Sequence, residues 1–325
     1  EGVSSLLREN LIKAGVKIPR TQLKRLTAMH DRNILKQIMY SRELKRMLGL
    51  LKRKKIEPLA LKGAVLMHTL YPQGLRPISD IDLLVKRDDL SSAVEVFEKA
   101  GYKMVLPDMK EWLVQSMLAL PFVHKSGFMF ELHTHLINNK WYRETMSIDM
   151  DEIWERARFK RINGAKMLVL SPEDNLIHLC THYCVSHGMR GLLWLCDINE
   201  SAKDKSLNWK KLADSARAYG AAKAVYLPLF YAQKVYVSEE LKRILPMVSI
   251  GGLKGWEKRI CESGILGRTK NPDILILPVI AGKRRAAGVL SRALFAKRKA
   301  SALKSFKHAG GLVKQLLDSA LSLKS

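Results

Sequence analysis

Apolar positions between Thr21 and Lys55 recur at spacings of three, four and about seven residues. Leu23, Leu26, Ile34, Leu35, Ile38, Met39, Met47, Leu48 and Leu51 carry the pattern, which predicts one long helix. Glu57-Pro58 is expected to end it, because the residue before a proline is pushed out of the helical region. Leu59-Ala60-Leu61 reads as a short strand. Gly63 opens a helix carrying Val65, Leu66 and Leu70 that stops by Pro72. Ile81 to Val85 is a strand and Asp89 to Ala100 an amphipathic helix closed by Gly101. Tyr102 to Leu106 is a further strand. Pro121–Lys125 and Phe128–His135 form a hairpin around Ser126-Gly127. Phe159–Ile162 and Met167–Leu170 form another around Asn163-Gly164, two residues that tolerate positive φ. Ser171-Pro172-Glu173-Asp174 starts a helix with a hydroxyl cap, a proline at the first helical position and acids in the first turn. Beyond it the pattern is helical to the end. Helices, then mixed strands and helices, then helices again predict an α+β core between helical flanks, with regions 1–57, 58–170 and 171–325.

Composition narrows the class. At about 150 residues per domain, the 325 residues suggest two or three domains. A hydrophobic content of 47% excludes global disorder, and 20 glycines with 11 prolines exclude a collagen-like chain. No apolar run of about 18 residues occurs, so no bilayer-spanning helix is expected. The chain opens at Glu1 rather than methionine, so an incomplete N-terminus is expected; no secretory segment follows. Cys180, Cys184, Cys196 and Cys261 are too few for a disulfide scaffold and fit a reducing, cytoplasmic setting. Fifty-six basic against 31 acidic residues leave a net charge of +25, a field that attracts phosphate-rich partners.

Candidate chemistry centres on Leu75-Arg76-Pro77-Ile78-Ser79-Asp80-Ile81-Asp82-Leu83-Leu84-Val85. Strand side chains alternate faces, so Asp80 and Asp82 share one side while Ile81, Leu83 and Val85 bury on the other. Same-face carboxylates lie about 6–7 Å apart along the backbone. Their oxygens can converge on metal ions, and two ions about 3.5–4 Å apart can clamp the attacking and leaving oxygens of a phosphoryl transfer. Magnesium suits such oxygen ligands. Taken alone, Asp-x-Asp is a common tripeptide of solvated turns; at the head of an aliphatic strand its carboxylates are costly unless something pairs them. Leu61-Lys62-Gly63-Ala64 stands at a strand-to-helix junction, where a glycine lets the backbone approach a phosphate and Lys62 adds a charge. Glu131, a lone acid in an apolar strand, is either a third metal-binding carboxylate that helps deprotonate a hydroxyl or an outward-facing strand residue.

Together these segments resemble the nucleotidyltransferase (polymerase-beta-like) superfamily, and within it a bacterial group with the pattern Leu-Lys-Gly-Ala, helix, tyrosine, Arg-Pro-x-x-Asp-Ile-Asp-Leu-Leu-Val, and a helix ending in Gly-Tyr. The chain shows Leu61 to Ala64, Tyr71, Arg76-Pro77, Asp80 to Val85 and Gly101-Tyr102 in that order; Glu131-Leu132-His133, His182, Leu195-Cys196-Asp197-Ile198 and Trp209 also fit. The likeness runs from about Lys55 to Gly220. It departs at the superfamily's usual Gly-Gly or Gly-Ser pair, which stands here as Gly63-Ala64. The resemblance implies a small mixed β-sheet with helices. It implies transfer of a nucleoside monophosphate from a nucleoside triphosphate, with two magnesium ions held by Asp80, Asp82 and Glu131. Lys62, Gly63, Ala64, Arg76 and Ser79 would lie on the nucleotide side, Arg76 either neutralising phosphate charge or bracing its loop. A small molecule, glycan precursor or protein would supply the acceptor hydroxyl. The alternatives are an RNA-directed nucleotidyltransferase, which the +25 charge favours, and an inactive nucleotide-binding scaffold, which Gly63-Ala64 favours.

Three other groups remain. Cys180, Cys184 and His187 fall on one face of a predicted helix that also holds His178 and His182; zinc is one reading, small buried cysteines and a hydrogen-bonded histidine the blander one. His133 and His135 flank the acidic site, in a supporting or a structural role. From Lys283 to His308 there are nine Lys or Arg and no acid, with apolar residues between them. Such a segment is a solvated helical face, or it contacts an anionic membrane surface or a protein partner, with nucleic acid less favoured because only Phe295 and Phe306 could stack.

Overall fold

The computed structural model describes residues 2–105, 107, 119–138, 140–249 and 253–265, together with 276, 277, 279 and 280. The basic segment from Lys283 to His308 lies outside them.

Helix α1 (Ser4–Lys13) packs on α2 (Arg20–Arg53), the long helix of the sequence pattern. The buried face of α2 is Gln37, Tyr40, Leu44, Met47 and Leu51, while Leu35, Ile38 and Met39 are exposed. At 3.6 residues per turn those three fall on another side of the cylinder, so the apolar pattern was wider than the seam that packs. The helix ends before Pro58, at Arg53, where Lys54 caps it and Lys55 takes a positive φ of 60°.

Seven strands form one mixed sheet: β1 (Leu59–Leu61), β2 (Ile81–Leu84), β3 (Tyr102–Met104), β4 (Leu120–His124), β5 (Met129–His133), β6 (Arg158–Ile162) and β7 (Ala165–Val169). Their order is β3-β4-β5-β2-β1-β7-β6. The β1–β7 and β2–β5 pairs are parallel, and the other neighbours antiparallel. Asn163 and Gly164 take φ of 47° and 75° in the turn between β6 and β7, as the hairpin required.

Alternation along β1 and β2 separates two cores. Ala60, Ile81, Leu83 and Val85 bury with α2 and with α4 (Leu90–Lys99). Leu59, Leu61 and Leu84 bury on the other face, against α7 (Pro172–Val185), α8 (Leu192–Ser201) and α10 (Ala222–Tyr236). Between these elements lie α3 (Gly63–Thr69), α5 (Lys140–Arg143), α6 (Met150–Arg156) and α9 (Trp209–Ala218); α11 (Glu239–Ile244) and α12 (Gly255–Ile265) follow. Helix α7 starts as its sequence predicts: Ser171 Oγ accepts from the Asp174 N–H at 3.2 Å. The result is the expected α+β arrangement, a mixed sheet with helices on both faces.

Candidate active site

The site stands on the central strands. β2 and β5 run parallel with Asp82 beside Glu131 and Leu84 beside His133. Period-two alternation then puts Asp82, Glu131 and His133 on one face, the face toward α7. One ligand atom from each of the three lies within 4.8 Å of the others. His133 Nε2 is 2.8 Å from Asp82 Oδ1 and 3.6 Å from Glu131 Oε2, and its Nδ1 is 3.0 Å from Asn138 Oδ1. That second contact fixes the ring, as an outer partner does for a metal-binding histidine. Two carboxylates and an imidazole suit a divalent cation.

Lys62 enters from the β1–α3 junction. Its Nζ is 2.6 Å from Asp82 Oδ1, and the side chain is 6% exposed. Lys62 is the N-cap of α3 and holds φ 46°, ψ −124°, a combination that favours glycine. A non-glycine residue kept there costs on the order of 1–3 kcal/mol, and such strain clusters at functional sites. Burial works against the charge on Asp82, but the Lys62 ammonium and the His133 hydrogen bond outweigh it and hold the carboxyl well below the usual range. Glu131 goes the other way: burial and the nearby Asp82 charge push its carboxyl up. Neighbouring carboxylates driven apart in this way are a common mark of sites that do acid–base chemistry.

Asp80 precedes β2 and is half-buried, its Oδ1 accepting from Ser79 Oγ at 2.9 Å. Burial and the Asp82 charge raise its carboxyl too. Asp80 stands beside the Asp82–Glu131–His133 group rather than within it. Ser79 is exposed.

The loop that delivers Asp80 is clamped from α2. Gln37 Nε2 donates to the Arg76 carbonyl at 2.6 Å, Gln37 Oε1 accepts from the Gly74 N–H at 2.8 Å, and Tyr40 donates to the Ser79 carbonyl at 2.6 Å. Beneath it the buried Arg76 guanidinium meets both oxygens of Asp197 at 2.8–3.2 Å, and Tyr71 donates to Asp197 Oδ1 at 2.9 Å. Gly63 answers this packing: a Cβ there would stand 2.6 Å from Arg76 Nη1. Ala64 is buried in the core shared with α2. Nothing in the sequence singles out Gln37 or Tyr40, and Asp197 stands only in the Leu195–Ile198 match, with no role attached. Asp197 lies 121 residues from Arg76, and no local pattern joins them.

Of the two readings of the cysteine cluster, the structure takes the blander. Cys180 and Cys184 are fully buried in the apolar core, and the Cys184 thiol contacts Met189 Sδ and the Ala224 carbonyl. Burial raises both thiols, so neither is a ready metal ligand. His187 turns instead to His182, 3.1 Å between their Nε2 atoms. His135 accepts from the Ile137 N–H at 2.9 Å, and burial with the Arg143 charge lowers it to about 4.

No helix among the described residues is long and apolar enough to cross a membrane. No curated protein matches the chain. A family model described as "Uncharacterised nucleotidyltransferase" matches residues 1–236, a span that includes every side chain placed at the site above. With the paired strands, their acids and the clamped loop in one matched stretch, the chain belongs to that nucleotidyltransferase family.

Proposed function

We propose that this protein transfers a nucleoside monophosphate from a nucleoside triphosphate to a hydroxyl acceptor, with magnesium as the cation. The observation that carries this reading is the register of β2 on β5, which sets Asp82 beside Glu131 with His133 and Lys62 in contact. Asp82 and Glu131, with Asp80 adjacent and His133 alongside, would hold the ion, which when bound supplies charge for the polyphosphate oxygens. The Lys62 ammonium, buried against Asp82, adds a point charge on the phosphate side. Glu131, its carboxyl raised, takes the proton of the acceptor hydroxyl. The acceptor oxygen then bonds to the α-phosphorus, the bond from that phosphorus to the bridging oxygen breaks, and pyrophosphate leaves with the electron pair. Loop 74–79, clamped by Gln37, Tyr40 and the Arg76–Asp197 pair, fixes where the acids stand, and positioning is the protein's main contribution to such a reaction.

The test incubates the full chain with each α-labelled triphosphate, magnesium and a cell extract. Wild type transfers label to an extract component, and Asp82→Asn loses transfer by at least about a hundredfold. Absence of magnesium-dependent triphosphate binding by wild type refutes the proposal.

A further inference from the structure

Helix α7 turns two histidines toward the acidic site. His178 and His182 are one helical turn apart and share a face. Their ring centroids are 5.8 Å apart. His182 Nε2 meets His187 Nε2 at 3.1 Å, and His187 stacks on Trp194 with centroids 4.3 Å apart. The three rings make a row from the interior outward: His178 is 1% exposed, His182 9%, and His187 half-buried.

Neither ring nitrogen of His178 has a hydrogen-bond partner. Folded interiors leave few polar groups unpaired, and such a group points to something that binds there. Helix α7 packs on the sheet face that carries Asp82, so the row and the Lys62–Asp82 pair lie on the same side of the sheet, and the Lys62 charge reaches all three rings.

That ammonium selects the sign of the ligand. At the group whose ligand atoms converge within 4.8 Å, Asp82 and Glu131 offset the ammonium; the three histidines bring no carboxylate, so at the row the positive charge favours an anion. Burial keeps His178 down to about 3 and His187 to about 4, so near neutral pH each ring carries one N–H to donate. N–H donors beside an ammonium suit an oxyanion.

We propose that His178, His182 and His187, with Lys62, bind a phosphate group of a substrate, a histidine-lined counterpart of the Gly-Gly or Gly-Ser cradle that stands here as Gly63-Ala64. The proposal deepens the transferase reading and rests on it for the identity of the substrate. The same chemistry fits the outer phosphates of the triphosphate and the phosphate of a phosphorylated acceptor.

Titration calorimetry of the full chain with inorganic pyrophosphate, in EDTA, tests the row without the metal. Wild type binds, and His178→Phe and His182→Gln each weaken binding by about tenfold or more. His187→Gln, at the outermost and half-buried position of the row, shows the same loss and guards against misfolding of the inner variants. Displacement of pyrophosphate by ATP assigns the row to the triphosphate; inorganic phosphate bound alongside saturating ATP assigns it to a phosphorylated acceptor. The proposal is overturned if wild type binds neither anion, or if folded variants keep wild-type affinity. It is equally overturned if Zn2+ alone binds stoichiometrically and is lost in His182→Gln. Metal-free anion binding with no label transfer by wild type would sink the transferase reading and leave the anion site standing.

Discussion

Asp197→Ala removes the partner of a buried charge. The Arg76 and Asp197 side chains are 4% and 0% exposed, and three N–H···O contacts of 2.8–3.2 Å join them. Burial alone would lower the Arg76 guanidinium, yet the Asp197 carboxylate outweighs it and raises it. A guanidinium keeps its proton even in a protein interior, so the variant leaves Arg76 charged and without its partner. Breaking such a pair costs about 3–5 kcal/mol, and the Tyr71 hydroxyl loses its acceptor for about 1 kcal/mol more. At roughly 2–4 °C per kcal/mol, the melting temperature should fall by about 8–24 °C. Thermal melts followed by circular dichroism read this directly. The double variant Arg76→Met with Asp197→Leu should melt above either single change, because it removes both charges and leaves apolar side chains of similar size. Below the melting range, Asp197→Ala should also weaken triphosphate binding, since the same pair anchors the loop leading into Asp80 and Asp82. A melting point within about 2 °C of wild type, or a double variant as unstable as the sum of the singles, would refute the reasoning.

Two further outcomes follow from the same packing. Gly63→Ala drives a methyl group to 2.6 Å from Arg76 Nη1, and the guanidinium cannot swing away without leaving Asp197; denaturant melts should show a loss of about 1–3 kcal/mol. Burial raises all four thiols, but Cys180, Cys184 and Cys261 are buried whereas Cys196 is half-buried, so access decides: a thiol-reactive disulfide reagent should label Cys196 in the native protein and all four cysteines after denaturation.

The sequence by itself determined the elements and much of the acidic motif. Each depends on residues close in the chain: the 3.6-residue pattern of α2, the Asn163-Gly164 turn, the Ser171 cap, and Asp82 among Ile81, Leu83 and Val85 are all local, and local chemistry is legible in order. Alternation also foretold that Ile81, Leu83 and Val85 share one buried face of β2; that the face of Asp82 and Leu84 is buried too came from the helices packed on it. Tertiary structure decided what those residues touch. The pairing of β2 with β5 brings Asp82 to Glu131 across a gap in sequence, and the fold of α7 over the sheet brings His178 and His182 toward Lys62. The Arg76–Asp197 pair spans 121 residues, so the reason for a glycine at position 63 is a side chain that no window around it contains. Which face of α2 packs was settled likewise, by the sheet and α4 that Leu44, Met47 and Leu51 meet and by the loop that Gln37 and Tyr40 hold. Burial and charge act through space, and the distances that set them exist only once the chain has closed on itself.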